Sequence, residues 1–138
     1  MAFTLCVMDR HPVFVDQDDL VNRCLEKLRS LCALNKCHIP IYCFMPDHIH
    51  VLIQGYDFGS DSRLVMDKFS QYLGRQLRSR KLPPIQVPPY DHIIRSREDW
   101  RRQAAYFAMN PVRAGLVENF FDYPYVGCLH GDLGDLFP

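Results

Sequence analysis

The sequence predicts an α+β protein, a ferredoxin-like (split βαβ) sandwich with a four-stranded antiparallel sheet, helices on one face and a further C-terminal helix. Three observations predict it. Elements follow one another as β-α-β-β-α-β and then a last helix. Two of the helical segments carry single apolar stripes at 3–4 spacing, while the central segments read as strands joined by a tight turn. The 138 residues are most simply one domain over 1–138, with a core of about 2–127 and a tail of 128–138.

The first strand is AFTLCVM, residues 2–8, rich in β-branched and aromatic types. Asp16 or Asp18 then caps a helix whose stripe is Leu20, Val21, Cys24, Leu25, Leu28, Leu31 and Cys32. HIPIYCFM, residues 38–45, makes the second strand, and Pro40 places it at an edge or near a strand start. Pro46-Asp47 is a turn signal, so HIHVLIQ at 48–54 returns as the third strand of a hairpin. Ser60, Asp61 and Ser62 are cap candidates for a second helix carrying Leu64, Val65, Phe69, Tyr72, Leu73 and Leu77. The four prolines of KLPPIQVPP forbid helix and mark an extended connector. YDHIIR, 90–95, reads as a short fourth strand, and Ser96 with Asp99 opens a last helix over 97–109. From Gly115 the chain reads as loop.

Apolar residues make up 48% and charged ones 23%, the balance of an ordinary globular protein. No run approaches ~18 apolar residues and the start lacks a basic-then-apolar leader, so neither a membrane span nor a signal peptide is expected. The six cysteines contain no Cys-x-x-Cys pair, and five fall on core-like segments, which fits a reducing cytoplasm better than a disulfide framework. Net charge is zero, yet residues 63–113 hold eleven Lys/Arg against four Asp/Glu. A basic middle of that kind matches a polyanionic partner as well as a solvated face.

MPDHIHVLI carries the first chemistry. Residues i and i+2 of a strand share a face about 6.5–7 Å apart, so His48 and His50 point together while Ile49, Val51 and Ile53 face the helices. One divalent ion can bridge two neutral imidazoles. Two histidines fall short of a four-ligand structural zinc site but suit an open catalytic one. A histidine-triad hydrolase needs a third histidine at position 52, which is Leu.

On the last helix, with Trp100 as reference, Ala104 and Phe107 fall within ~40° and define the core stripe. Tyr106 lies ~120° away, on a polar flank with Arg102, Gln103 and Asn110. A tyrosine near a metal can serve as a nucleophile toward phosphorus, although a free phenol, pKa ~10, is ~4 kcal/mol from its phenolate at neutral pH. Asn110, one turn on, would complete a His, His, Asn set, and oxygen donors favour Mg2+ or Mn2+ over zinc.

YCFMPDHIHVLI resembles the histidine-hydrophobic-histidine strand of the HUH endonucleases. YFAMNPVRAGLV resembles the helix of their single-tyrosine transposases in the REP-associated, IS200-like branch, and DHIIRS and YPYVG are similar to that branch too. The resemblance runs from about residue 3 to 127. It implies a ferredoxin-like enzyme that nicks and rejoins single-stranded DNA beside hairpins, working as a monomer or a homodimer. Carried over, Tyr106 is the nucleophile that forms a 5′-phosphotyrosine and frees a 3′-hydroxyl. His48 and His50 bind the metal, and Asn110 completes the shell. Asp47 stands where the family commonly has Asn, Phe107 where Ile is usual, and PIQVPP lacks a frequent Trp-Gln. Arg75, Arg78, Arg95, Arg97, Arg101 and Arg102 are candidate phosphate contacts if they converge on an open sheet face, with Arg102 foremost because it shares the tyrosine's flank. His92 reads equally as support for the metal site or as strand packing. The alternatives are a non-catalytic nucleic-acid-binding module of the same fold and a small metallohydrolase using bound water.

Overall fold

The computed structural model describes residues 1–137, so the last residue of the expected tail lies outside it. One antiparallel sheet contains β1 (Ala2–Cys6), β2 (Cys37–Met45), β3 (His48–Gly55), β4 (Tyr90–His92) and β5 (Val126–Gly127), in the order β4-β1-β3-β2-β5. The helices are α1 (Asp18–Leu34), α2 (Ser62–Ser79), α3 (Arg97–Arg113) and a short α4 (Leu133–Leu136). The sheet therefore has five strands rather than the expected four. β5 is two residues long, too short for a period-2 signature, and pairs with β2 through Tyr42–Gly127 and Cys43–Val126.

One face of the sheet forms the main core. Ile49, Val51 and Ile53 lie beneath the stripes of α1 and α2, which bury Leu20, Leu28, Phe69, Leu73 and Leu77. Asp61 caps α2, accepting the Leu64 N–H at 2.9 Å, and Met66 rather than Leu64 turns inward. Gln17, not an aspartate, occupies the cap position of α1, and Asp18 and Asp19 fall in its first turn, where the helix dipole favours them.

The other face is not open. Ala2, Ile41 and Leu52 meet Ala104, Phe107 and Ala108 of α3 in a second, smaller core. Helices thus cover both faces, against the expectation of one. The signal was the run Val51-Leu52-Ile53, buried on both sides, which is the mark of a strand covered on both faces. α3 also outruns its expected end, continuing through Pro111 to Arg113. Proline removes one i→i−4 bond but is buried here, and the turn beyond it is retained. β4 is shorter than expected because the chain after His92 is already committed to the α3 cap, where Ser96 accepts the Asp99 N–H at 3.0 Å. Pro40 sits in β2 at a register shift between His38 and Ile41, a bulge that spares the ladder its missing N–H.

Candidate active site

β3 presents His48 and His50 to the α3 side, with ring centroids 4.7 Å apart at 81°. Strand pairing sets Thr4 of β1 directly opposite His50, and its hydroxyl lies 2.9 Å from Nδ1. The Asp47 carboxylate lies 2.6 Å from Nδ1 of His48. With Nδ1–H donated to Thr4 and to Asp47, each Nε2 keeps its lone pair for a metal ion. The guanidinium of Arg10 also approaches His48 Nδ1 at 3.3 Å, but one Nδ1 cannot both donate to Asp47 and accept from Arg10. The shorter carboxylate contact takes precedence, and Arg10 instead binds the other Asp47 oxygen at 2.7 Å.

Burial pushes the pKa of Asp47 up, but the hydrogen bonds from Arg10 and His48 outweigh it and hold the carboxyl below its usual range. Arg10 reaches this position from an unfavourable backbone: Asp9 and Arg10 have φ of 54° and 56°. Left-handed residues other than glycine cost about 1–3 kcal/mol each and persist where surrounding contacts determine them. His50 is 6% exposed, with the Phe107 ring stacked 4.5 Å from it. Burial first, then the charges of His48, Arg113 and Arg10, lowers its pKa to about 3. It is therefore neutral at physiological pH, the form that coordinates metal.

Tyr106 of α3 is 52% exposed, and its ring centroid lies 5.9 Å from that of His50 in the same chain. Arg113 spans the phenol, 4.0 Å from the ring centroid, and donates to the Tyr106 carbonyl at 2.7 Å. Asn110 comes from the next turn, and its buried Nδ2 has no hydrogen-bond partner. Thr4, Arg10, His48, His50, Tyr106 and Asn110 together line a cleft of about 480 Å³.

That donor set fits a divalent cation. Two neutral imidazoles are present, and an amide with an unsatisfied buried atom stands beside them. Turning that amide over would offer its oxygen. Among the described residues no group of three or more His, Cys, Asp or Glu could hold a metal, so further ligands would be amide, water or phosphate oxygens.

The sequence left Thr4, Arg10 and Arg113 unassigned. Thr4 is found only through strand register, and the other two only through the turn after β1 and the extension of α3. Arg102 binds Glu98 at 3.3 Å, and it is Arg113 that covers the tyrosine. The six candidate arginines do not gather on one surface. Arg75 and Arg78 flank a cleft between α2 and the connector at Pro84–Val87, whereas Arg97 and Arg101 line one at the start of α3, on the opposite side of the sheet. The Arg95 N–H donates to Asp99 at 3.2 Å. His92 lines the same cleft as the histidine pair and bonds Asp99 at 2.9 Å, tying β4 to α3. His38 and His130 stack at 4.8 Å, away from the cleft.

The family model described as "Transposase IS200 like" matches residues 1–86, a span that includes the histidine strand and ends before α3. A Haemophilus influenzae protein provisionally described as a REP-associated tyrosine transposase is 25% identical over 149 residues, covering 99% of this chain and 83% of that one. The REP-associated tyrosine transposase of Escherichia coli is 30% identical over 106 residues, covering 72% of this chain and 59% of its own. A solved REP-associated tyrosine transposase bound to a REP hairpin superposes with a TM-score of 0.73 at 20% identity, covering 91% of this chain and 73% of that chain. At that identity the likeness speaks for the fold.

Proposed function

Because the chain belongs to the IS200-like transposase family, we propose that it is a metal-dependent single-stranded DNA endonuclease and strand transferase acting near hairpins. The observation that carries this reading is the meeting of Tyr106, His48, His50 and Asn110 in one cleft of one chain. In the nicking step the Tyr106 oxygen attacks phosphorus, a 5′-phosphotyrosine bond forms and the bond to the 3′-oxygen breaks. The phenol proton leaves to solvent, and the departing 3′-alkoxide takes up a proton to become a hydroxyl. One phosphodiester replaces another, so a 3′-hydroxyl can reverse the step without ATP. Mg2+ or Mn2+, held by His48, His50 and Asn110, would polarise the scissile phosphate.

The protein's own part is positional. Thr4 and Asp47 fix the imidazole orientation, Phe107 backs His50, and Arg113 holds the phenol and sets a cation beside it. The closeness of Tyr106 to its own histidines supports cleavage within one protomer, with dimerisation dispensable for the chemistry. Arg95, Arg97, Arg101 and Arg102 would track phosphates on the α3 side. The order β4-β1-β3-β2 supports the split βαβ reading, with β5 an addition at the β2 margin. No helix among the described residues is long and apolar enough to cross a membrane, in keeping with action on DNA in the cytoplasm.

Incubation with single-stranded hairpin DNA and Mg2+ or Mn2+ should give a covalent protein–DNA adduct on a denaturing gel. Tyr106→Phe and His48→Ala should abolish it. Hairpin binding indifferent to EDTA and to Tyr106→Phe, with no adduct, would make the chain a binding module. Cleavage without an adduct would make it a water-using hydrolase.

A further inference from the structure

A second cleft, of about 520 Å³, lies at the start of α3 and is lined by Gln54, Ile94, Ser96, Arg97, Trp100 and Arg101. It belongs to the same face of the molecule as the catalytic cleft. Gln54 is four residues beyond His50 on β3 and shares its face, roughly 13 Å away at ~3.3 Å per residue. Trp100 precedes Tyr106 by six residues on α3, roughly 9 Å at ~1.5 Å per residue. The two clefts therefore lie along one path between α3 and the sheet.

We infer that this second cleft is a nucleobase subsite, taking one unpaired base of the DNA strand whose backbone passes Tyr106. The inference rests on the single-stranded DNA part of the function proposed above. Trp100 is half-buried, packed against the α3 core while it lines the cleft. Its indole N–H donates to Gln54 Oε1 at 3.2 Å. Indole nitrogen is only a donor, so the Gln54 oxygen is the bonded atom and its NH2 group is the one left free. A stacking surface beside a fixed amide donor suits a base that presents a carbonyl acceptor, which thymine has and adenine lacks. Arg97 and Arg101 on the rim are exposed cations matched to the flanking phosphates. Arg102 is held by Glu98, whereas neither Arg97 nor Arg101 has an ion-pair partner among the described residues.

Trp100 is the single tryptophan of the chain, so selectively excited tryptophan emission reports on this one side chain. Gln54, which lines this cleft and not the neighbouring one at Asp135–Phe137, tells the two apart. The whole protein is titrated in EDTA with short oligo(dT) and oligo(dA), following Trp100 emission and the anisotropy of a labelled strand together. Oligo(dT) should quench Trp100 in step with binding, and an oligomer of abasic sugar-phosphate should bind without quenching. Gln54→Leu, at an exposed position, keeps Trp100 but removes its indole acceptor, so this variant is read by anisotropy. It should weaken oligo(dT) about tenfold and leave oligo(dA) nearly unchanged. Binding that saturates with no change in Trp100 emission overturns the subsite, as does a Gln54→Leu protein with the original thymine preference. The adduct assay is separate. An adduct without quenching sinks the subsite and spares the nuclease reading. Quenching without an adduct upholds the subsite and sinks the nuclease reading.

Discussion

At the scale of single residues, the proposed metal site depends on atoms that hold His48 and His50 in place. Asp47→Ala or Thr4→Val should lower Mn2+ affinity about 10–100-fold, read by calorimetry on the purified protein, because each frees an Nδ1 and with it the ring orientation. Asp47→Asn, which keeps an acceptor, should lose less. His50 also links stability to pH. Its folded pKa, about 3, lies below the ordinary 6.5, so the unfolded chain binds the proton more tightly. The stability it contributes is therefore full above pH 6.5 and drains as pH falls toward 3. The slope is at most ~1.36 kcal/mol per pH unit. Urea unfolding in EDTA should show a loss of up to ~2 kcal/mol between pH 7 and 5, and His50→Gln should remove most of it. His130, pushed down by burial and by His38 and Arg29, adds a smaller effect of the same sign. That His48 and His50 share a face of β3, and Tyr106 and Asn110 a flank of α3, was legible from spacing, since alternation and helical pitch fix which side chains share a face. Their proposed roles came from the resemblance. Thr4 and Arg10 were not, because one depends on which strands pair and the other on a left-handed turn.

At the scale of elements, α3 decides the geometry. It carries Trp100, Tyr106, Asn110 and Arg113, and it is anchored to the sheet through Leu52, Ile41 and Ala2. Leu52→Ala leaves the histidines, the tyrosine and the asparagine unchanged, yet it should cost about 2–5 kcal/mol in denaturant unfolding and slow adduct formation by loosening α3 and Phe107. Ser96→Ala, which removes the α3 cap, should cost about 1 kcal/mol. The stripes of α1 and α2 could be read from sequence because their apolar positions repeat on one face. The docking of α3 was harder to foresee, since only three apolar residues of the sheet, Ala2, Ile41 and Leu52, reveal it. The proline at position 111 argued for an earlier end, but burial of its ring in the tertiary structure overrode that local preference.

At the scale of the whole molecule, the charge asymmetry seen in sequence resolves into two surfaces. Arg97→Ala and Arg101→Ala should each reduce the salt slope of single-strand binding by about one, whereas Arg75→Ala, on the opposite side, should leave it as it is. The shape of the sheet has a separate consequence. Its two margins are strands of three and two residues, and behind the shorter one lies the nine-residue β2, held also by the Tyr123 hydroxyl on the Phe44 carbonyl at 2.6 Å. A row of unpaired amides and carbonyls that long is a template on which other chains nucleate fibrils or amorphous clumps. Excising residues 119–130, which removes β5 together with the Leu129 and His130 contacts to Ile39, should turn a dispersed protein into one that scatters light within hours of concentration, so this short cover also keeps the polypeptide from sticking to its own copies.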